Sequence, residues 1–219
     1  MKRARIVLET PYLIKSAWCW RDDWNTGYDS PYGLFSKFAR LNAMGARELA
    51  ELFVDRDCGQ RGAILRAPKV DLRSSSLFDI QELAKHLRLD GRAIEQAFVV
   101  DRLSHRRRRS SDVLRWCAKC ARYGFHTAIY QLDLIGACPA HGLLLRSRCP
   151  RCRSQIPYRL SPEVFAEPFC CPSCSFDLAP SLREVRPPSL KLRGTDEGWI
   201  DSLVRLFVFE ERWCRSDSN

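Results

Sequence analysis

Apolar residues recur at helical spacing in several stretches of this chain, and polar residues punctuate them. After Ser30 and Pro31, Leu34, Phe35, Phe38 and Leu41 fall on one helix face. Ser30 suits the cap because its hydroxyl accepts from a free amide, and Pro31 suits the first turn because its missing N–H has no partner to lose there. Gly45 is expected to end this helix in a left-handed turn. Leu49, Leu52 and Phe53 mark a second, short helix. Residues 55–75, rich in Gly, Arg, Asp and Ser and containing Pro68, read as a loop. Ile80, Leu83, Ala84 and Leu87 then form one face. Leu89, Asp90 and Gly91 make a break in which Asp90 is the next cap, and Ala93, Ile94, Ala97 and Phe98 form a second face. This spacing is that of a helix-turn-helix, whose second helix would turn Arg92, Glu95 and Gln96 toward a major groove. It is equally that of a plain helical hairpin. Weaker patterns flank these segments. Residues 5–8 and 12–14 are short β-like runs. Trp18, Trp20, Trp24 and Tyr28 fit either a packed domain edge or a docking surface. Residues 199–213 read as a helix bearing Ile200, Leu203, Leu206 and Phe207.

Between the helical half and that last segment, cysteines replace periodicity. Cys117 pairs with Cys120, Cys138 with His141, Cys149 with Cys152 and Cys171 with Cys174, always with two residues between partners. The first two knuckles are separated by residues 121–137 and the last two by residues 153–170, both gaps suited to a two-knuckle zinc site. A tetrahedral zinc ion takes four soft or borderline ligands. Cys117, Cys120, Cys138 and His141 supply one set, and Cys149, Cys152, Cys171 and Cys174 a second. Four protein ligands leave no position for water, so two structural zinc ions are expected, each supplying folding free energy on the order of 10 kcal/mol. An interleaved pairing, or Cys170 in place of Cys171, fits the spacing as well. His126 is expected to be packed or hydrogen-bonded rather than a ligand, and Cys19, Cys58 and Cys214 to behave as small hydrophobes.

Charge and chain class narrow the partners. The net charge of +10 over 219 residues points to an acidic partner, nucleic acid before an anionic membrane surface. No apolar run reaches the length of a membrane span. After the opening basic residues only Ile6, Val7 and Leu8 precede Glu9, too few for a signal peptide, so a cytoplasmic setting is expected, where eleven cysteines serve metal rather than disulfides. Arg106, Arg107, Arg108 and Arg109 repel one another unless phosphates neutralise them, and the same run fits a solvated linker. It divides an N-terminal helical part (residues 1–112) from a double zinc-binding part (113–182) and a short C-terminal segment (183–219). Arg115, Lys119 and Arg122 add positive charge near the first set, and Arg146, Arg148, Arg151 and Arg153 near the second. No metalloprotease or deaminase pattern is present, and Glu163 and Glu167 have no obvious histidine partner, so no catalytic residue is expected. The fold class expected is mainly α, a helix-turn-helix-like part followed by two zinc-ribbon or knuckle sites and a C-terminal helix.

Residues between the knuckles carry a more specific pattern. Cys117-x2-Cys120, Gly124-Phe125-His126, Gln131-Leu132, Cys138-Pro139-x-His141-Gly142, Leu144 and Cys149-Pro150-x-Cys152 together resemble the TniQ family of transposon target selectors. The segment Phe38-Ala39-Arg40-Leu41-Asn42 resembles that family's N-terminal helical region, and the likeness runs over roughly residues 28–178. The resemblance implies a non-catalytic, bacterial adaptor that connects target DNA, or an RNA-guided CRISPR effector, to an AAA+ ATPase of the transposition machinery. Arg92, Gln96 and the four arginines at 106–109 are the candidate nucleic-acid contacts, and a homodimer is compatible with this picture. Longer family members continue into a large C-terminal DNA-reading domain, which the residues after the second zinc set do not match. The alternative is a stand-alone zinc-containing helix-turn-helix regulator.

Overall fold

The computed structural model describes residues 18–101 and 110–183. The expectations for residues 5–8, 12–14, 106–109, 199–213 and Cys214 lie outside them. Helix α1 (Pro31–Asn42) begins as its sequence dictates: the Ser30 hydroxyl accepts from the Gly33 amide, and Pro31 occupies the first turn. Its end differs from expectation. Ala43, not Gly45, takes the left-handed position, and its amide bonds the Ala39 carbonyl. Gly45 instead caps helix α2 (Ala46–Phe53), because the Glu48 carboxylate reaches back to its amide at 2.9 Å. That acidic residue three positions on is a helix-start signal, and it outweighs the stop signal that glycine carries.

Residues 55–75 are not all loop. They hold helix α3 (Arg61–Arg66) and strand β1 (Val70–Asp71). The strand exists only because a distant partner supplies its hydrogen bonds. It pairs antiparallel with β2 (Arg159–Leu160), Val70 opposite Leu160 and Asp71 opposite Arg159. Helices α4 (Ile80–Leu87) and α5 (Gly91–Ala97) follow, each started by an aspartate. Asp79 accepts from the amides of Gln81 and Glu82, and Asp90 from that of Ala93. Gly91 is therefore the first residue of α5 rather than part of the break. Beyond the second described segment's start, α6 (Ala118–Arg122) and α7 (Pro162–Phe165) are single short turns of helix. The described chain is thus mainly helical, with β1 and β2 as its named strands.

The core is centred on α1 and continues into the cysteine-rich half. On one side Phe35 stacks on Phe53 with ring centroids 5.3 Å apart, and Phe38 meets the same ring edge-on. On the other, the Tyr32 ring meets Phe165 and Phe169 in edge contacts and touches His126. Cys149, Ile156, Tyr158 and Cys171 belong to the same buried cluster as Leu49, Phe53 and Leu83. Trp24 and Tyr28 are buried and Trp18 and Trp20 pack on Phe38, so the aromatic group follows the packed-edge reading. Among the described residues an ion pair lies inside: Lys37 Nζ is 2.6 Å from Asp29 and also donates to the Trp24 carbonyl. Asp29 accepts further from the amide and hydroxyl of Thr26, so its charge is fully hydrogen-bonded where water is excluded. No helix among the described residues is long and apolar enough to cross a membrane.

Candidate metal centres

Three of the four knuckles share one backbone design. After Cys138, Cys149 and Cys171 the chain turns so that the residue four positions on donates its amide back to the cysteine carbonyl, at 2.8–2.9 Å. Those residues, Gly142, Arg153 and Ser175, all lie in the left-handed region at φ 63°, 65° and 53°. The amide of each first cysteine is held in turn by a carbonyl five residues on: Leu143, Ser154 and Phe176. Pro139, Pro150 and Pro172 follow these cysteines, where proline's fixed φ suits a turn. The remaining knuckle is built differently. Cys117 stands at the start of α6 and Cys120 lies within it. Gly124 then turns the chain at φ 69°, in a spot where an added Cβ would sit 2.5 Å from a Leu182 methyl.

These turns bring eight ligand atoms into two groups. Cys117, Cys120, Cys138 and His141 form one, Cys149, Cys152, Cys171 and Cys174 the other, and within each group all ligand atoms lie within 4.8 Å of one another. The interleaved pairing is thereby excluded. Cys171 rather than Cys170 joins the second group, and the Cys170 sulfur instead accepts from Arg183 at 3.6 Å.

The separations fit one tetrahedral ion per group. Metal–sulfur bonds of about 2.3 Å and metal–nitrogen bonds of about 2.05 Å give tetrahedral edges of about 3.8 Å between sulfurs and about 3.6 Å between sulfur and nitrogen. In the first group Cys120 and Cys138 sulfurs are 3.8 Å apart, and His141 Nδ1 lies 3.6, 3.2 and 3.5 Å from the sulfurs of Cys117, Cys120 and Cys138. In the second, Cys149 to Cys174 and Cys152 to Cys171 are both 3.6 Å. Disulfide bonding would require about 2.05 Å. The first group is the more enclosed, with three buried cysteines; in the second Cys152 is exposed. Four protein ligands close each coordination sphere, so a bound ion would supply folding free energy rather than a reactive water.

Around the first group the intervening residues act as fasteners. The Tyr130 hydroxyl lies 3.2 Å from the Cys120 sulfur and 3.1 Å from that of Cys138. Burial pushes its pKa up, so it stays protonated and would donate to these sulfurs once a bound metal holds them as thiolates. Its signal in the sequence is slight, an aromatic eight residues before Cys138, and sequence reasoning missed it. His126 is buried and no ligand. Its Nε2 lies 2.9 Å from the Arg115 carbonyl, which only accepts, so Nε2 carries the proton and Nδ1 accepts from the Ser30 hydroxyl at 2.6 Å. The His126 carbonyl also accepts from the Ser30 amide. A Cβ added at Gly33 would sit 3.2 Å from that same carbonyl, closer than an ordinary contact. Gln131 satisfies both ends of its amide: the oxygen accepts from Arg115, and the nitrogen donates to the carbonyls of Ser111 and Val113. The positions between the knuckles thus bind the first metal lobe to the cap of α1 and to the segment at 111–115.

Of the proposed nucleic-acid contacts, Arg92 and Gln96 lie among the described residues, both on α5. Arg92 is exposed on α5, with its guanidinium over the Tyr28 ring at 5.9 Å and donating to that ring's hydroxyl at 3.2 Å. Gln96 is half-buried. Three residues separate α4 from α5, and the two helices pack together. Arg106, Arg107, Arg108 and Arg109 lie outside the described residues. No protein-family model matches the chain, and no curated protein matches it.

Proposed function

We propose that this chain is a non-catalytic, zinc-stabilised adaptor of the TniQ kind, joining nucleic acid to an AAA+ ATPase in DNA transposition, with target DNA or an RNA-guided CRISPR effector on its recognition side. The observation that carries the reading is the role of the residues between the knuckles. A generic pair of zinc sites needs only its ligands. Here Phe125, His126, Gln131 and Leu132, which carry the family resemblance, are all buried, and His126 and Gln131 are fully hydrogen-bonded between the first metal lobe and the rest of the fold. Zinc is the ion that suits three thiolates with one imidazole, or four thiolates, in a tetrahedral, closed sphere. Closed spheres also favour an adaptor over a metalloenzyme. The α4–α5 pair supports a helix-turn-helix assignment, with Arg92 and Gln96 on the element that would meet DNA.

The test is capture of the AAA+ ATPase encoded beside a transposase in the same genome, with the purified chain as bait and nuclease present to remove DNA bridging. Retention of the ATPase with ATP upholds the adaptor. A chain that ignores the ATPase but enriches one duplex motif from random sequences is the stand-alone regulator instead.

A further inference from the structure

The second metal lobe carries a basic tip that the reading above leaves unused. Residues 146–159 contain five arginines and no carboxylate. Arg159 stands opposite Asp71 in the strand pair and near enough to Glu163 to lower its pKa, so it is set apart from the rest. The other four, Arg146, Arg148, Arg151 and Arg153, are exposed, and none forms an ion pair among the described residues. Two of them are held against the knuckles by a single bond to backbone: Arg148 donates to the Arg153 carbonyl and Arg151 to the Cys174 carbonyl, each at 3.3 Å. These bonds fix the stems and leave most of each guanidinium's five N–H groups directed elsewhere. The ion's own charge belongs in the sum. A divalent ion with four thiolates carries a formal charge of −2, which four arginines exceed by about two.

We propose that this knuckle tip, through Arg148, Arg151 and Arg153, grips the sugar–phosphate backbone of duplex DNA without reading its sequence. Arginine's planar fork matches phosphate oxygens bidentately, and the backbone bonds of Arg148 and Arg151 order two such forks in advance. A membrane surface is the weaker fit. The tip carries no exposed large apolar side chain to enter lipid, since Leu134, Leu143 and Leu144 all belong to the first lobe. The inference rests on the nucleic-acid half of the proposed function and adds a site to it.

The experiment measures binding of the full zinc-loaded chain to two duplexes of unrelated sequence across a salt series. The variants are Arg148→Ala/Arg151→Ala/Arg153→Ala and the matching triple lysine variant, both checked for two zinc ions per chain. The alanine variant is expected to bind both duplexes more weakly, by factors that agree within about twofold, and to lose about 2.7 from the log–log salt slope, at about 0.9 per phosphate contact. The lysine variant is expected to keep the slope. An unchanged slope in the alanine variant, a loss confined to one sequence, a slope lost equally in the lysine variant, or capture by phosphatidylserine vesicles in preference to duplex would each overturn the site. Because ATPase capture is read separately and without DNA, an unchanged slope beside retained ATPase sinks this site and leaves the adaptor standing.

Discussion

His126 has both ring nitrogens engaged in a dry interior, and that makes it an acid-sensitive residue. Burial lowers its pKa to about 4, against 6.5 for an exposed histidine. Between these values the unfolded chain binds the extra proton, so stability falls as pH drops from about 6.5 toward about 4. Between pH 7 and pH 5 this one residue should cost about 2 kcal/mol. Urea unfolding at the two pH values, at saturating zinc, should show a drop smaller by that amount in His126→Gln. Equal drops in both proteins would refute the assignment. The neighbouring Tyr130 makes a second residue-level prediction. Tyr130→Phe removes the donor shared by Cys120 and Cys138, and outer partners of metal ligands typically contribute 10- to 100-fold in affinity. Chelator competition should therefore show one of the two metal ions weakened by roughly that factor and the other unmoved. Two ions weakened together would mean the hydroxyl serves the whole fold and not the first site.

At the scale of elements, capping governs where the helices begin and end. Asp90 is the start signal of α5, a helix of seven residues with little length to stabilise it. Asp90→Ala should cost about 1 kcal/mol, seen as an earlier thermal midpoint. If α5 is also the element that meets DNA, duplex affinity should fall with it. A variant that melts earlier yet binds unchanged would remove α5 from the interface. The capping residues were legible in the sequence because their bonds span three residues or fewer. The end of α1 was misread although its deciding bond is just as local: Gly45 carries both a stop and a start signal, and the Glu48 bond settles it as a start. Strand β1 was invisible for a stronger reason: Val70 and Asp71 sit in a polar, glycine-rich stretch, and their partners are Leu160 and Arg159, some ninety positions on.

For the whole molecule, the core crosses from the helical half into the second metal lobe. Cys149 and Cys171 are buried beside residues of α1, α2 and α4. Ser30 is bonded to His126, and β1 is paired to β2. Removing metal should therefore disturb more than the knuckles. Chelation at neutral pH is expected to melt the N-terminal helices together with the metal lobes in one far-ultraviolet transition, reversed by adding zinc. Helical signal that survives complete metal removal, with a separate later transition, would show that the N-terminal part folds by itself.

The sequence alone determined whatever rests on local chemistry. The four knuckles follow from two-residue spacing, the helix faces from their period, and the caps from side chains that reach their own backbone. It also marked His126 as a packed residue rather than a ligand. The tertiary structure decided whatever depends on which distant segments meet. It chose sequential over interleaved knuckles and Cys171 over Cys170, and it showed Tyr130 against the thiolates and α1 between the two halves. The reason is geometric. A spacing rule constrains the few residues around a turn, whereas the partner of a knuckle is fixed by the path of the chain between them.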